Sequence, residues 1–251
     1  MNQKILWSVV AIYALGMAWV EAAVVFYLRT MVNRIEPYQA NPLPMIGSLG
    51  PAELVREAAT LIMLLAVGTL AGRNWRERLG YSAIAFGIWD IFYYVFLKML
   101  CRWPHSLLDW DVLFLLPLPW WGPVLAPVSI AVLMILWGTL VGPQAPRNSG
   151  FFTEAKAWSL SALGMGLALY VFMADALRVA GEGVEVVRNV LPVSFNWPRF
   201  CVAWLLMSAP ASLALWRRLM ERRSSDAGLT VTQVSPSPVT QTCALPRDGV
   251  I

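Results

Sequence analysis

The sequence predicts an all-α, polytopic integral membrane bundle of six transmembrane helices, with a short interfacial or re-entrant segment between helices three and four. Three observations carry this reading. Of the 251 residues, 58% are hydrophobic and only 14% charged, against about 25% charged in an ordinary soluble domain. The apolar residues come in long runs that a water-soluble core cannot hold, whereas a bilayer takes about 20 per helix. The tryptophans sort into two belts once six spans are drawn, as the amphipathic indole requires.

Helix one is predicted from about Ile5 to Leu28. Lys4 followed by the Ile5–Val20 run has the look of a signal peptide, but the apolar stretch continues far enough to span, so an uncleaved helix is expected. A loop with Pro37, Pro42, Pro44, Gly47 and Gly50 follows, and Pro51 suits the first position of helix two, which runs to about Ala71. Arg73, Arg76 and Arg78 form a basic turn before helix three, from about Gly80 to Cys101.

The stretch from Arg102 to Pro123 is apolar but broken by Pro117, Pro119 and Pro123, and its middle run is too short to cross. It is read as the interfacial or re-entrant segment. Helix four follows from about Trp120 to Val141, and a loop with Pro143, Pro146 and Arg147 leads to helix five, from about Lys156 to Ala180. A loop with Glu182, Glu185 and Arg188 precedes helix six, from about Pro198 to Met220, closed by Arg217, Arg218, Arg222 and Arg223. Residues 1–223 therefore form the transmembrane domain. From Ser224 to Ile251 serine, threonine and proline dominate without periodicity, so a disordered cytoplasmic tail is expected.

Orientation follows from charge. Six crossings collect Lys4, the Arg73–Arg78 turn, Arg147, Lys156 and the terminal arginines on one side, and the positive-inside rule places both termini in the cytoplasm of a cell membrane, read as a bacterial inner membrane. Trp7, Trp75, Trp137, Trp158 and Trp216 then fall at the inner interface. Trp103, Trp110, Trp120, Trp121 and Trp197 fall at the outer one, and Trp19, Trp89 and Trp204 within spans.

The net charge of +4 is spread beside the apolar runs and not gathered in a patch, so nucleic acid is not an expected partner. His105 is the only histidine, which excludes a haem held by two histidines of this chain. The cofactor is otherwise undetermined.

Ionisable groups inside spans cost about 2.5–3.5 kcal/mol each near the centre and persist when paired, hydrated or functional. At ~1.5 Å per residue, Glu21, Glu57 and Asp175 sit roughly 8–10 Å below the outer helix ends and Asp90 roughly 16 Å below. Carboxylates from four helices thus share the outer half of the bilayer. Local partners are Arg56 beside Glu53 and Glu57, Arg178 three residues after Asp175, and the Asp90, Tyr94, Lys98 series along one helix face. Helix one carries Glu21 and Arg29 on roughly the same side.

The bland expectation is a set of ion pairs that fix packing. The sharper one is a hydrated pocket lined by Glu21, Glu57, Asp90 and Asp175 as acids and bases, with Arg56, Tyr94, Lys98 and Arg178 contacting a substrate. The function so read is a membrane-embedded enzyme acting on a lipid or isoprenoid-type substrate. The alternatives are a small proton-coupled transporter and a non-catalytic accessory subunit.

Asp109 and Asp111 have the spacing of carboxylates that hold a divalent cation, set against a plain cap or loop contact. His105 reads as a proton carrier or an ordinary interfacial residue. Cys101 and Cys201 reach similar depth at the outer helix ends, which permits a bridge only if the Cα atoms also lie within about 7 Å; Cys243 falls in the tail. Gly68 with Gly72, and Ala162 with Gly166, are small-residue steps for close helix contact.

Overall fold

The computed structural model describes residues 2–39, 49–115, 118–141, 151–183, 186–187 and 190–232. Their helices are α1 (Gln3–Met31), α2 (Leu49–Ala71), α3 (Trp75–Cys101), α4 (Leu125–Val141), α5 (Phe151–Arg178), α6 (Trp197–Met207) and α7 (Ala209–Thr232). Between α3 and α4 lies an antiparallel hairpin of β1 (Trp110–Phe114) and β2 (Trp120–Pro123). Met1–Leu215 is one compact unit. The remainder of α7 belongs to a second unit, in which Trp216, Leu219 and Met220 are exposed.

Four helices, α1, α2 from Pro51, α3 and α5 from Glu154, are long and apolar enough to cross a membrane. The pair Trp197–Met207 and Ala209–Met220 meets the same test jointly, with a 44° bend. The single helix six of the sequence reading is thus broken at Ser208. The cause is Pro210, which has no N–H to give the Leu206 carbonyl and whose ring would clash with it. α7 continues to Thr232, past the Ser224 boundary drawn from composition; the rest of that tail, with Cys243, lies outside the described residues, as do Pro42, Pro44, Gly47, Pro117, Pro143, Pro146, Arg147, Glu185 and Arg188.

The hairpin corrects the all-α expectation. Val112 pairs with Trp121 and Asp111 with Gly122, and a register shift falls between Val112 and Phe114. Aromatic and β-branched residues favour the extended backbone, and Pro123, closing β2, has no N–H to leave unpaired. β2 takes Trp120–Pro123, which shortens α4 to the 17 residues from Leu125.

Helix starts have local causes. Asn2 caps α1 by accepting from Lys4 N–H. Asn74 caps α3 by accepting from Glu77 N–H, while the Glu77 carboxylate accepts from Arg73 N–H. Arg76 and Arg78 of the basic turn therefore lie in the opening of α3, with Arg73 just before its cap.

α3 is the central helix, packed against α1, α2 and α4, whereas α5 packs on α6 and on β2. Small residues permit these approaches. A Cβ on Gly68 would fall 2.4 Å from Ser82 N, and one on Gly87 would fall 2.5 Å from the Ala131 carbonyl. The step on α5 differs from expectation: Gly166 faces open space, while Gly164 meets the Ala203 carbonyl of α6. Among the described residues three buried clusters result, and two of them flank the hairpin. One gathers Val10, Ala14, Ala18, Leu64 and Ile84 between α1, α2 and α3. The other gathers Ala126, Ala168, Phe172, Phe200 and Ala203 between α4, α5 and α6. The hairpin wedges between them, Phe114 packing on the first cluster and Leu113 with Trp120 on the second.

One tryptophan belt is recognisable at the end where α1, α3 and α5 begin. Trp158 contacts both Trp75 and Trp137, and Trp7 Nε1 donates to Thr139 Oγ1 at 3.2 Å. The other belt is corrected in part. Trp103 and Trp121 are 2% and 7% exposed, so they are interior residues and not surface anchors.

Candidate functional site

Helical periodicity builds the site. On α1 the residues Glu21, Val25, Leu28 and Arg29 share one face; on α2 it is Glu53, Arg56, Glu57 and Thr60; on α3 it is Phe86, Trp89, Asp90, Tyr93 and Tyr94. These three faces and the hairpin enclose one side of a cavity of about 510 Å³. α4 and α5 supply the other side with apolar groups, among them Pro127, Ile130, Met134, Leu169 and Phe172. The cavity therefore has a charged end against α1, α2, α3 and β1, and an apolar end against α4 and α5.

The charged end is a connected network. Arg56 donates Nε to Glu53 Oε2 at 2.8 Å and Nη2 to Glu53 Oε1, and Nη1 reaches Glu21 Oε1 on α1. Thr60 Oγ1 donates to the second Glu21 oxygen at 3.1 Å. Arg56 thus joins α1 to α2, and every nitrogen of its guanidinium meets a carboxylate. Glu57 turns away from Arg56 toward the hairpin, accepting from Leu115 N–H at 3.1 Å.

Arg29 performs a similar service at the end of α1. Its Nη2 donates to Asp111 Oδ1 at 2.9 Å, its Nη1 to the Ile35 carbonyl at 3.2 Å, and its guanidinium lies 4.3 Å from the centroid of the Trp103 ring. Burial pushes the Asp111 carboxyl above the ordinary carboxylate range, against the opposing pull of Arg29, of the nearby Tyr94 hydroxyl and of Val112 N–H. The Tyr94 hydroxyl stands within hydrogen-bonding reach of the Asp111 carboxylate, whose Oδ2 meets no partner of good geometry.

That orphan has company. Among the described residues, the buried side-chain polar atoms with no hydrogen-bond partner are Asp90 Oδ2, Asp111 Oδ2 and the indole nitrogens of Trp89, Trp120 and Trp121. All belong to residues that line this cavity. Buried groups are normally paired, because an unmade hydrogen bond costs about 1–3 kcal/mol. Two acceptors and three donors on residues lining one space make it the candidate functional site.

The chain matches no family model, no curated protein and no solved structure. The site is therefore read on its own chemistry.

Of the residues singled out in the sequence, Glu21, Arg56, Glu57, Asp90 and Tyr94 meet in the cavity, and Asp111 joins them. Asp175 and Arg178 form the expected local pair at 3.2 Å, but neither lines the cavity and the arginine side chain is 55% exposed. Lys98 also lies elsewhere. Its ammonium donates to the Pro104 carbonyl at 2.7 Å and to the Arg102 carbonyl, closing the C-terminus of α3. Asp109 accepts from His105 N–H at 2.7 Å, a turn contact, so Asp109 and Asp111 serve different partners. The His105 ring faces Glu36 at 3.2 Å on the surface, and Cys101 and Cys201 are free thiols.

Arg29, Glu53, Thr60, Trp89 and Tyr93 are the cavity residues that charge and depth alone did not single out. For Arg29 and Glu53 the signal was present, since each shares a helix face with a residue that was chosen. For Trp89 and Tyr93 it was absent, because an aromatic on a helix face reads as core.

Proposed function

We propose that this chain is a six-crossing membrane protein, in the cell membrane with both termini cytoplasmic, that takes a lipid-like amphiphile into the cavity and acts on it by proton transfer. On this reading α4 and the bent α6–α7 pair are the fourth and sixth crossings, and the cavity lies in the outer half of the bilayer. The observation that carries the reading is the division of one cavity into a charged end and an apolar end, lined by the residues that carry the unpartnered polar atoms. A headgroup fits the first and a chain the second. Asp90 is the acid–base group. It is 8% exposed, makes no ion pair among the described residues, and lines the cavity together with Trp89, Tyr93 and Tyr94. Glu21, Glu53 and Arg56 hold the frame.

A second cavity favours the carrier as the second reading. It measures about 330 Å³, opens near the start of α1 and α3, and is lined by Lys4, Ser8, Glu77, Tyr81 and Thr139. The buried cluster of Val10, Ala14, Leu64 and Ile84 separates the two spaces.

Native mass spectrometry of the full chain released from its membrane tests the first reading. A co-purifying amphiphile is expected with the wild type and lost in Leu169→Trp, which fills the apolar end. A bare protein in both preparations overturns it. Proteoliposome uptake of the recovered molecule, coupled to a proton gradient, would instead establish the carrier.

A further inference from the structure

The charge of the cavity is lopsided. Its wall carries Glu21, Glu53, Glu57, Asp90 and Asp111 against Arg29 and Arg56, which is five carboxylates to two guanidiniums. Both guanidiniums are already engaged, Arg56 by Glu53 and Glu21, Arg29 by Asp111, the Ile35 carbonyl and the face of Trp103. The other cations expected to receive an anionic head, Lys98 and Arg178, lie outside the cavity. A phosphate or carboxylate head would therefore enter a space where acidic side chains outnumber cationic ones and where no cation of the described wall is unengaged.

The aromatic lining has the opposite preference. Trp89 stacks on Tyr93 at 6.3 Å and meets Phe86 at 5.3 Å. Phe114 meets Trp120 at 5.2 Å, and Trp120 stacks on Phe172 at 6.4 Å. All six line the cavity. The faces of such rings attract cations, most strongly where water is excluded. Asp90 sits beside this wall with a carboxylate oxygen that no protein group satisfies. A buried carboxylate without a cationic partner is costly in a bilayer, and a bound cation supplies one.

We propose that the headgroup accepted here is an organic ammonium attached to an apolar chain, with Asp90 as its counter-ion and the Trp89–Tyr93 and Phe114–Trp120 rings as its wall. This inference rests on the amphiphile reading above and names the chemical class of the head.

The test uses the full chain in nanodiscs of zwitterionic lipid, with empty nanodiscs as the partition reference. Quenching of cavity tryptophan fluorescence is titrated with three single-chain probes of equal length: an alkyltrimethylammonium, its uncharged tert-butyl isostere and an alkyl phosphate. The ammonium is expected to bind about thirtyfold more tightly than the isostere, the gain of one desolvated cation–aromatic contact. Asp90→Asn should narrow that difference to the share of the rings while the isostere binds as before, which also shows that the variant is folded. An alkylphosphocholine as a fourth probe separates the sources of the ammonium, matching the simple amine if the natural head is a phospholipid's and falling below it if not. Equal binding of ammonium and isostere, or tightest binding of the phosphate, overturns the ammonium assignment and leaves the amphiphile reading standing. If no probe saturates, the amphiphile reading itself fails.

Discussion

Arg29 on the first helix and Asp111 on the hairpin meet at 2.9 Å, across 82 residues of sequence, with side chains 10% and 1% exposed. This pair holds the wedge that shapes the cavity. Removing one partner strands the other's charge, so Arg29→Ala or Asp111→Ala should each destabilise the protein by about 3–5 kcal/mol. The double replacement Arg29→Met with Asp111→Leu should recover most of that loss. Thermal unfolding in detergent gives the comparison, and a double variant as unstable as the singles would deny that the pair acts as a unit.

Glu57 is the second attachment of the hairpin, through Leu115 N–H. Glu57→Gln keeps an acceptor for that donor, and Glu57→Ala does not. The alanine variant should lose about 1–3 kcal/mol and show faster amide exchange over β1. The glutamine variant should exchange at nearly the wild-type rate.

The crossing of α3 and α4 depends on a missing side chain. Gly87→Ala puts a methyl 2.5 Å from the Ala131 carbonyl, a backbone atom that cannot step aside alone. A loss of about 1–3 kcal/mol is expected. Gly166→Ala is the matched control, since its Cβ meets nothing within 4 Å. It should leave stability unchanged or raise it by up to about 1 kcal/mol through helix propensity.

Asp175 and Arg178 divide the structural account from the one based on depth. The Arg178 side chain is 55% exposed and that of Asp175 16%, and neither residue lines the cavity. Asp175→Asn and Arg178→Gln should change stability by less than about 1 kcal/mol and leave amphiphile retention intact in the mass-spectrometric assay. Loss of the amphiphile in either variant would return them to the site.

The legibility of the site in the sequence followed a simple physical rule. Glu21, Arg56, Glu57 and Asp90 could be picked out because a charge inside an apolar run is costly anywhere along it, so its presence alone is information. Position along a helix axis was readable too, since rise per residue is constant. The direction around the axis was not. Asp175 pairs with Arg178 and does not line the cavity, and Lys98 has a long side chain that reaches forward to the Arg102 and Pro104 carbonyls just past its own helix. Trp120 and Trp121 were read as interface anchors because indoles favour that zone, and they sit inside because the hairpin carries them there.

The sequence by itself determined that the chain is helical with several stretches fit for a bilayer, and that acids cluster toward one end of them. Those are sums over composition and local periodicity. Only the tertiary structure decided that the proline-broken segment doubles back as a hairpin, that Arg29 and Arg56 are spent on internal pairs, and that the cavity keeps a surplus of carboxylates beside aromatic rings. Such balances depend on which side chains face one another across helices, and chain order does not record that.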